Sequence, residues 1–259
     1  MDGTVAWIHV APIKALAVQE RTRVELGANG IAGDRRFCII DDDGRMLNAK
    51  RVNAFVAVRP EFDDTMRHLA LRLPDGRCAA GDVALGDPVT VSIYKRLEPA
   101  RVVEGPFAEA LSGLAGQRVR LVRFDHEGGG VDRADLGGAA TLLAAASLDA
   151  LAEAASADGP VDPRRFRMLF GIAGVPAHAE DEWVGREVRV GEATLVPGGN
   201  VGRCAVTSVD PTSGTSDLDT LGALARYRGA VHTTERLPFG VWAHVKTPGT
   251  VRVGDRVRV

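Results

Sequence analysis

The sequence predicts an α+β protein, mostly β, with a β-barrel component. Three observations carry this. Short apolar or alternating runs recur along the whole chain, each bounded by glycine, proline or aspartate turn signals. Few stretches show the three-to-four-residue apolar spacing of a helix. No internal repeat or low-complexity segment interrupts the pattern. The 259 residues allow one large domain or two medium ones, and 45% hydrophobic with 25% charged residues is an ordinary globular mix.

In chain order, Val5 to Val10 alternates weakly and meets Pro12, and Arg21 to Leu26 alternates more clearly. Phe37-Cys38-Ile39-Ile40 meets the hairpin signal Asp41-Asp42-Asp43-Gly44 and returns through Arg45-Met46-Leu47. Leu69 to Leu73 turns at Pro74-Asp75-Gly76 into a short return strand at Arg77-Cys78-Ala79. Val89 to Tyr94 closes a β-rich first part, expected to span residues 1–95. The second part, 96–259, opens with a helix at Phe107 to Leu114 and a strand at Arg118 to Arg123. Glu127 to Gly130 is expected as a flexible loop. A helix follows at Ser147 to Ala155, with Ser147 as its N-cap and Asp149 in its first turn. Pro163 to Arg167 leads into a strand through Phe170-Gly171-Ile172. Glu187 to Val190 and Ala193 to Val196 form a hairpin across Gly191-Glu192. Asp219 to Tyr227 is a helix, and Val251 to Val259 is strand, turn, strand.

The net charge of -2 gives no electrostatic case for nucleic acid or an anionic membrane. The apolar runs are too short to span a bilayer, and no signal peptide is readable, so a cytoplasmic location is expected. Cys38, Cys78 and Cys204 are widely spaced, and the histidines show no metal-ligand spacing. A self-contained zinc or iron–sulfur site is therefore not expected. Cys204 stands out. It sits between the glycine-rich Gly199-Asn200-Val201-Gly202 and the β-branched run Val206-Thr207-Ser208-Val209, beside Arg203. A thiol so placed can serve as a soft metal ligand or a nucleophile, and the adjacent cation would favour its thiolate.

Several segments together resemble one family. Ala11-Pro12-Ile13-Lys14 and Gly33-Asp34-Arg35-Arg36-Phe37 resemble the N-terminal β-barrel domain of MOSC proteins. Arg165-Phe166-Arg167, Ala179 to Gly185, and Gly202-Arg203-Cys204 with Thr207 and Val209-Asp210-Pro211 resemble the MOSC domain itself. Phe239-Gly240-Val241 and Pro248 to Val251 fit its ending. The ordered set resembles the two-domain group that includes the mitochondrial amidoxime-reducing component and its bacterial relatives. The fold this implies is an N-terminal β-barrel-like domain plus a MOSC β-barrel domain with a few helices.

The resemblance also implies a molybdenum cofactor (molybdopterin) and reduction of small N-hydroxylated (N–O) substrates. Cys204 would ligate the metal. Lys14, Arg35, Arg167 and Arg203 would hold the pterin and its phosphate, with Arg165 and Lys50 as weaker candidates. Ser147 would lie near that phosphate. Asp210 would lie close to Cys204 and orient a loop or relay a proton. Glu180 and Asp181 read as structural, and Trp183 as a core or inter-domain anchor. Pyridoxal phosphate binding attaches to the family description and to no residue here. The chain ends without a fused ferredoxin domain, so electrons are expected from a separate reductase or ferredoxin-type donor.

Three positions depart from the family pattern. Ala15, Ala144 and Leu169 stand where polar residues are common, an expected loss of roughly 1 kcal/mol of cofactor binding for each missing hydrogen bond. That leaves two alternatives open. One is metal-free sulfur transfer or C–S chemistry with Cys204 as persulfide carrier. The other is a non-catalytic cofactor-binding protein.

Overall fold

A computed structural model describes residues 2–63, 65–94, 96–126, 138–233 and 235–259. The expected loop at Glu127 to Gly130 lies outside them. The architecture is mostly strand, with three α-helices among the described residues. The first strand, β1 (Asp2–Val10), finds its barrel neighbours far along the chain. It pairs antiparallel with β14 (Phe170–Ala173) on one side and with β19 (Arg256–Arg258) on the other. Seven strands thereby close into a barrel in the order β14, β13 (Ala140–Ala144), β17 (Pro238–Thr247), β16 (Ala193–Gly202), β15 (Val188–Val190), β19, β1. The short β2 (Gln19–Arg21) hangs from the free end of β1. Val5, Ile8, Leu142, Ile172, Val241 and Trp183 fill the interior, so Trp183 is a core residue of the barrel.

The other half is built on a five-stranded sheet: β10 (Ala84–Ile93), β11 (Arg96–Glu104), β12 (Arg120–Phe124), β5 (Phe37–Ile40) and β6 (Met46–Leu47). The hairpin of β10 and β11 straddles residue 95, and β12 extends the same sheet from beyond α1 (Phe107–Ala115). β5 is buried on both faces, which explains its unbroken apolar run. Phe37 and Ile39 meet α1 and the small sheet of β7 (Arg59–Phe62), β8 (His68–Arg72) and β9 (Cys78–Asp82), while Cys38 and Ile40 pack on Val91 and Phe124. A third small sheet joins β18 (Gly249–Arg252), β3 (Arg23–Gly27) and β4 (Gly30–Ile31). No helix among the described residues is long and apolar enough to cross a membrane.

One expectation is corrected. α2 runs Ala146–Ala155, and its N-cap is Ala145, which makes no side-chain cap bond. Ser147 sits inside the first turn, fully buried, where its hydroxyl accepts the His178 N–H at 2.8 Å. The Pro163–Phe166 segment is a 3-10 turn held by Asp162, whose carboxylate accepts the Arg164 N–H at 2.8 Å. α3 (Thr220–Arg228) starts within one residue of expectation, with Asp219 capping Gly222 N–H at 3.0 Å.

Closure of the barrel has one tight point. Trp7 pairs with Gly171 across β1 and β14, and a Cβ on Gly171 would overlap the indole ring. Gly171→Ala must shift the indole or part the strands. Overpacking of this kind costs about 1–3 kcal/mol. Urea denaturation of the variant is expected to show a lower midpoint with an unchanged slope.

Candidate functional site

The closed barrel and the five-stranded half meet along the loop 11–16, the turn 163–167 and the strand end 201–204. A cavity of about 460 Å³ opens there. Lys14, Arg35, Arg167, Arg203 and Cys204, far apart in sequence, all line it, as do Arg165 and Lys50. No aspartate or glutamate is among its described lining residues. The polar Asn48, Thr141 and Thr207 and the aromatic Tyr94, Phe166 and Trp242 complete the wall. None of these last six was given a site role from sequence: Phe166 and Thr207 stood only within the family motifs, and the others are lone residues with no spacing signal.

Backbone geometry sets each basic side chain. Arg35 and Arg167 both sit in the left-handed region, at φ 51° and 53°, which aims their side chains away from the direction of the strands that follow. The Arg167 guanidinium donates to the carbonyls of Leu16 and Ile13, on either side of Lys14. Its own carbonyl accepts from Arg35 Nη2 at 3.1 Å. Arg35 is clamped in turn by Asp34 at 2.5 Å, and Asp34 accepts the Ala11 N–H at 2.7 Å. The chain of bonds ties the loop carrying Lys14 to the turn carrying Arg165 and Arg167.

Cys204 lies two residues past the end of β16 and caps the 3-10 turn 205–208 in extended conformation, φ −133°, ψ 172°. Its carbonyl is held by the Thr207 N–H at 3.0 Å and hydroxyl at 2.9 Å, which fixes the sulfur's position on the cavity wall. Cys78 is exposed, and burial pushes the Cys38 thiol up to about 12. Of the three cysteines, Cys204 alone lines this cationic cavity.

Arg203 behaves unlike the other cations. Its Nη1 donates to the Phe166 carbonyl at 3.0 Å, Nε to the Phe239 carbonyl at 2.9 Å and Nη2 to Met168 Sδ at 2.9 Å. The guanidinium lies 5.3 Å from the Phe166 ring centroid. Burial pulls its pKa down to about 9, against the attraction of Cys204 and Glu180, so it stays charged at neutral pH. It is first a strut between the 163–167 turn and β17, and only its edge faces the cavity.

Two expected site residues lie elsewhere. Ser147 is not in the cavity wall and is occupied by His178. Asp210 is also outside the wall, in a turn where Oδ1 accepts from Thr212 and Ser213 N–H at 2.9 and 2.6 Å. Burial works to raise its pKa, but the Ser213 and Thr212 bonds outweigh it and hold the carboxyl below the usual range. Its Oδ2 lies 3.6 Å from Arg165, whose fork grips Asp217 at 2.7 Å on both arms. Of the three departures noted, Ala15 faces the cavity, while Ala144 and Leu169 do not. The Leu169 N–H instead bonds Thr141 Oγ1 at 2.8 Å.

The MOSC N-terminal beta barrel domain family matches residues 2–104, and the MOSC domain family matches residues 129–258. The chain is a MOSC-domain protein. Mitochondrial amidoxime-reducing component 1 of Mus musculus is 30% identical over 291 aligned residues, covering 98% of this chain and 82% of that one. The same-named protein of Homo sapiens is 28% identical over a similar span, again 98% and 82%. The solved YUAD protein from Bacillus subtilis shares the fold, with a TM-score of 0.50 and 13% identity over 99% of this chain and 94% of that one. Among the described residues of this MOSC protein, no three His, Cys, Asp or Glu side chains gather to hold a metal.

Behind Arg203, the MOSC barrel holds a buried acid. Asp181 is satisfied by Asn200 Nδ2 at 2.7 Å and Arg228 Nη2 at 2.5 Å. Glu180, fully buried beside it, has its carboxyl pushed up to about 7 by burial and then by Asp181, with nearby backbone amides and Arg228 opposing. The native state therefore holds this proton more tightly than the unfolded chain does. Stability from Glu180 is present below about pH 4.5 and lost as pH rises to about 7. Glu180→Gln, which never ionises, is expected to be more stable than the parent by about 2–3 kcal/mol at pH 8 and nearly equal to it at pH 4, measured by denaturant titration at the two pH values.

Proposed function

We propose that the Cys204 cavity holds a molybdenum cofactor and that the protein reduces N–O bonds of small N-hydroxylated compounds, in the cytoplasm, with electrons from a separate protein. The observation that carries this reading is the wall itself. Six cations and one thiol face a single space with no carboxylate among the described lining residues. Such a wall suits an anionic, phosphate-bearing group that brings its own sulfur ligands to a metal. The amidoxime-reducing names of the relatives, spanning nearly the whole chain, point the same way.

Lys14, Arg35 and Arg167 would hold the phosphate and pterin. Lys14 acts as a point charge, and the two guanidinium groups act as planar forks with geometry preset by the bonds between them. Cys204 would supply a thiolate to the metal. When bound, the cofactor supplies the two-electron reduction of the N–O bond. The chain's own part is to position and to neutralise. Arg203 locks the turn that carries Arg165 and Arg167 against β17. Trp242, Phe166 and Val201 offer apolar surface to a flat substrate. Asp210 holds the 210–215 turn and faces Arg165. With its carboxyl held ionised it is a positioning residue, not a source of protons at neutral pH.

Produced in a host that makes the cofactor, the protein is expected to carry about one molybdenum per chain and to reduce benzamidoxime with a chemical electron donor. Cys204→Ala should lower that activity by roughly a hundredfold or more. Protein from the same host that holds neither molybdenum nor pterin overturns the reading. A persulfide on Cys204 in such protein, seen by mass spectrometry, would transfer support to the sulfur-transfer alternative.

A further inference from the structure

Beside the Cys204 cavity lies a second one, of about 360 Å³, and the two share a wall of Arg165, Arg167 and Val206. Its floor is apolar, with Val56, Pro60, Val209 and Pro211 all buried. Its rim carries Arg21, Arg59 and Arg164 with Glu20 and Glu61.

Several of these charges are already compensated. Arg164 is gripped by Asp162 at 2.5 Å, and Arg165 by Asp217 at 2.7 Å. Glu61 is held by Arg72 at 2.7 Å. What is left on the rim is Arg59, which is exposed, and Arg21, which donates to the neutral Gln19 Oε1 at 2.6 Å, against the single carboxylate of Glu20. A surplus of one positive charge on guanidinium forks matches a carboxylate. That surplus is the rim's alone; Arg167, on the shared wall, is held by the Ile13 and Leu16 carbonyls and belongs to both cavities. The shared wall adds an independent sign. The Arg165 side chain is 7% exposed, and its Nε has no hydrogen-bond partner among the described residues. A buried guanidinium N–H is a strong donor that ordinarily finds an acceptor, and a ligand crossing that wall would supply one.

We propose that this second cavity recognises a carboxylate tail on the substrate. The N-hydroxylated end lies at Cys204, an apolar spacer passes over Val206, and the carboxylate reaches the rim at Arg21 and Arg59. The proposal rests on the Cys204 cavity being the N–O reduction site, and it narrows the substrate class to amphipathic N-hydroxylated acids.

Two measurements test it. The first compares kcat/KM for benzamidoxime, 4-(2-carboxyethyl)benzamidoxime and the methyl ester of the latter. The second measures by calorimetry the affinity of the matching amidines, which need no turnover. The free acid is expected to exceed both compounds that lack a carboxylate by roughly tenfold in each measurement, and the combined Arg21→Gln, Arg59→Gln variant should bring the ratios to near one. Reduction of all three with equal kcat/KM, or an ester that binds as well as the acid, overturns the carboxylate site while leaving N–O reduction intact. Carboxylate-dependent amidine binding lost in the double variant upholds the site even where none of the three amidoximes is reduced, a result that would count against the N–O reading alone.

Discussion

Arg167 joins what the chain keeps far apart. Its guanidinium reaches the carbonyls of Ile13 and Leu16, and its own carbonyl is taken by Arg35, which Asp34 anchors. These bonds link residues more than 130 positions apart, between the loop leaving β1 and the turn entering β14. Buried or half-buried charged bonds of this kind are costly to break singly, because each leaves a desolvated partner. The cavity exists because this network holds its two walls at a fixed separation. Arg203 does the same on the opposite side by clamping Phe166 to Phe239. Three of the four expected cofactor-binding guanidinium and ammonium groups, Arg35, Arg167 and Arg203, are thus structural members as well as cations. The positive field of the site and its rigidity have one source.

Much of the strand pattern was legible because short alternating runs ended in turn residues. β3, β8 and β15 lie where alternation and turns place them, β5 where its apolar run meets an Asp-Gly turn, and β16 begins as expected at Ala193 but runs six residues past Val196, through the glycine-rich stretch, to Gly202. The strands that escaped did so for definite reasons. β13, Ala140 to Ala144, is buried along its whole length, paired parallel to β14 and antiparallel to β17, so it shows no alternation and reads as an apolar run of no fixed type. β17 is similarly buried over its first six residues. β11 carries Pro99 and charges of both signs, and is recognisable only from its long pairing with β10.

The site was legible in part, and by a different route. Lys14, Arg35, Arg167 and Cys204 share no spacing, and only the ordered resemblance put them in one place. What sequence could not supply was the second partner of each group. Ser147 read as a cap because serine before an Asp-containing turn usually is one, yet His178, brought in from a distant loop, takes its hydroxyl. Asp210 read as a neighbour of the thiol that orients a loop or relays a proton, and two amides three residues on or fewer hold its carboxylate within its own turn. Local hydrogen-bond competition of this sort is set by loop geometry, which periodicity does not encode.

The placement of β1 bears on how the molecule comes to exist. It is synthesised before every barrel strand it pairs with, and those partners lie near residues 170 and 256. The barrel therefore has high contact order, and its seam is the last part that can form on a ribosome. Until then β1 has only the short β2 beside its last residues, and the five-stranded half, whose pairings are closer in sequence, is the part able to fold first. The Cys204 thiol lies on the late-assembling side, and its cavity wall, drawn from residues 14–94 and 141–242, is complete only when both halves have been made and packed together.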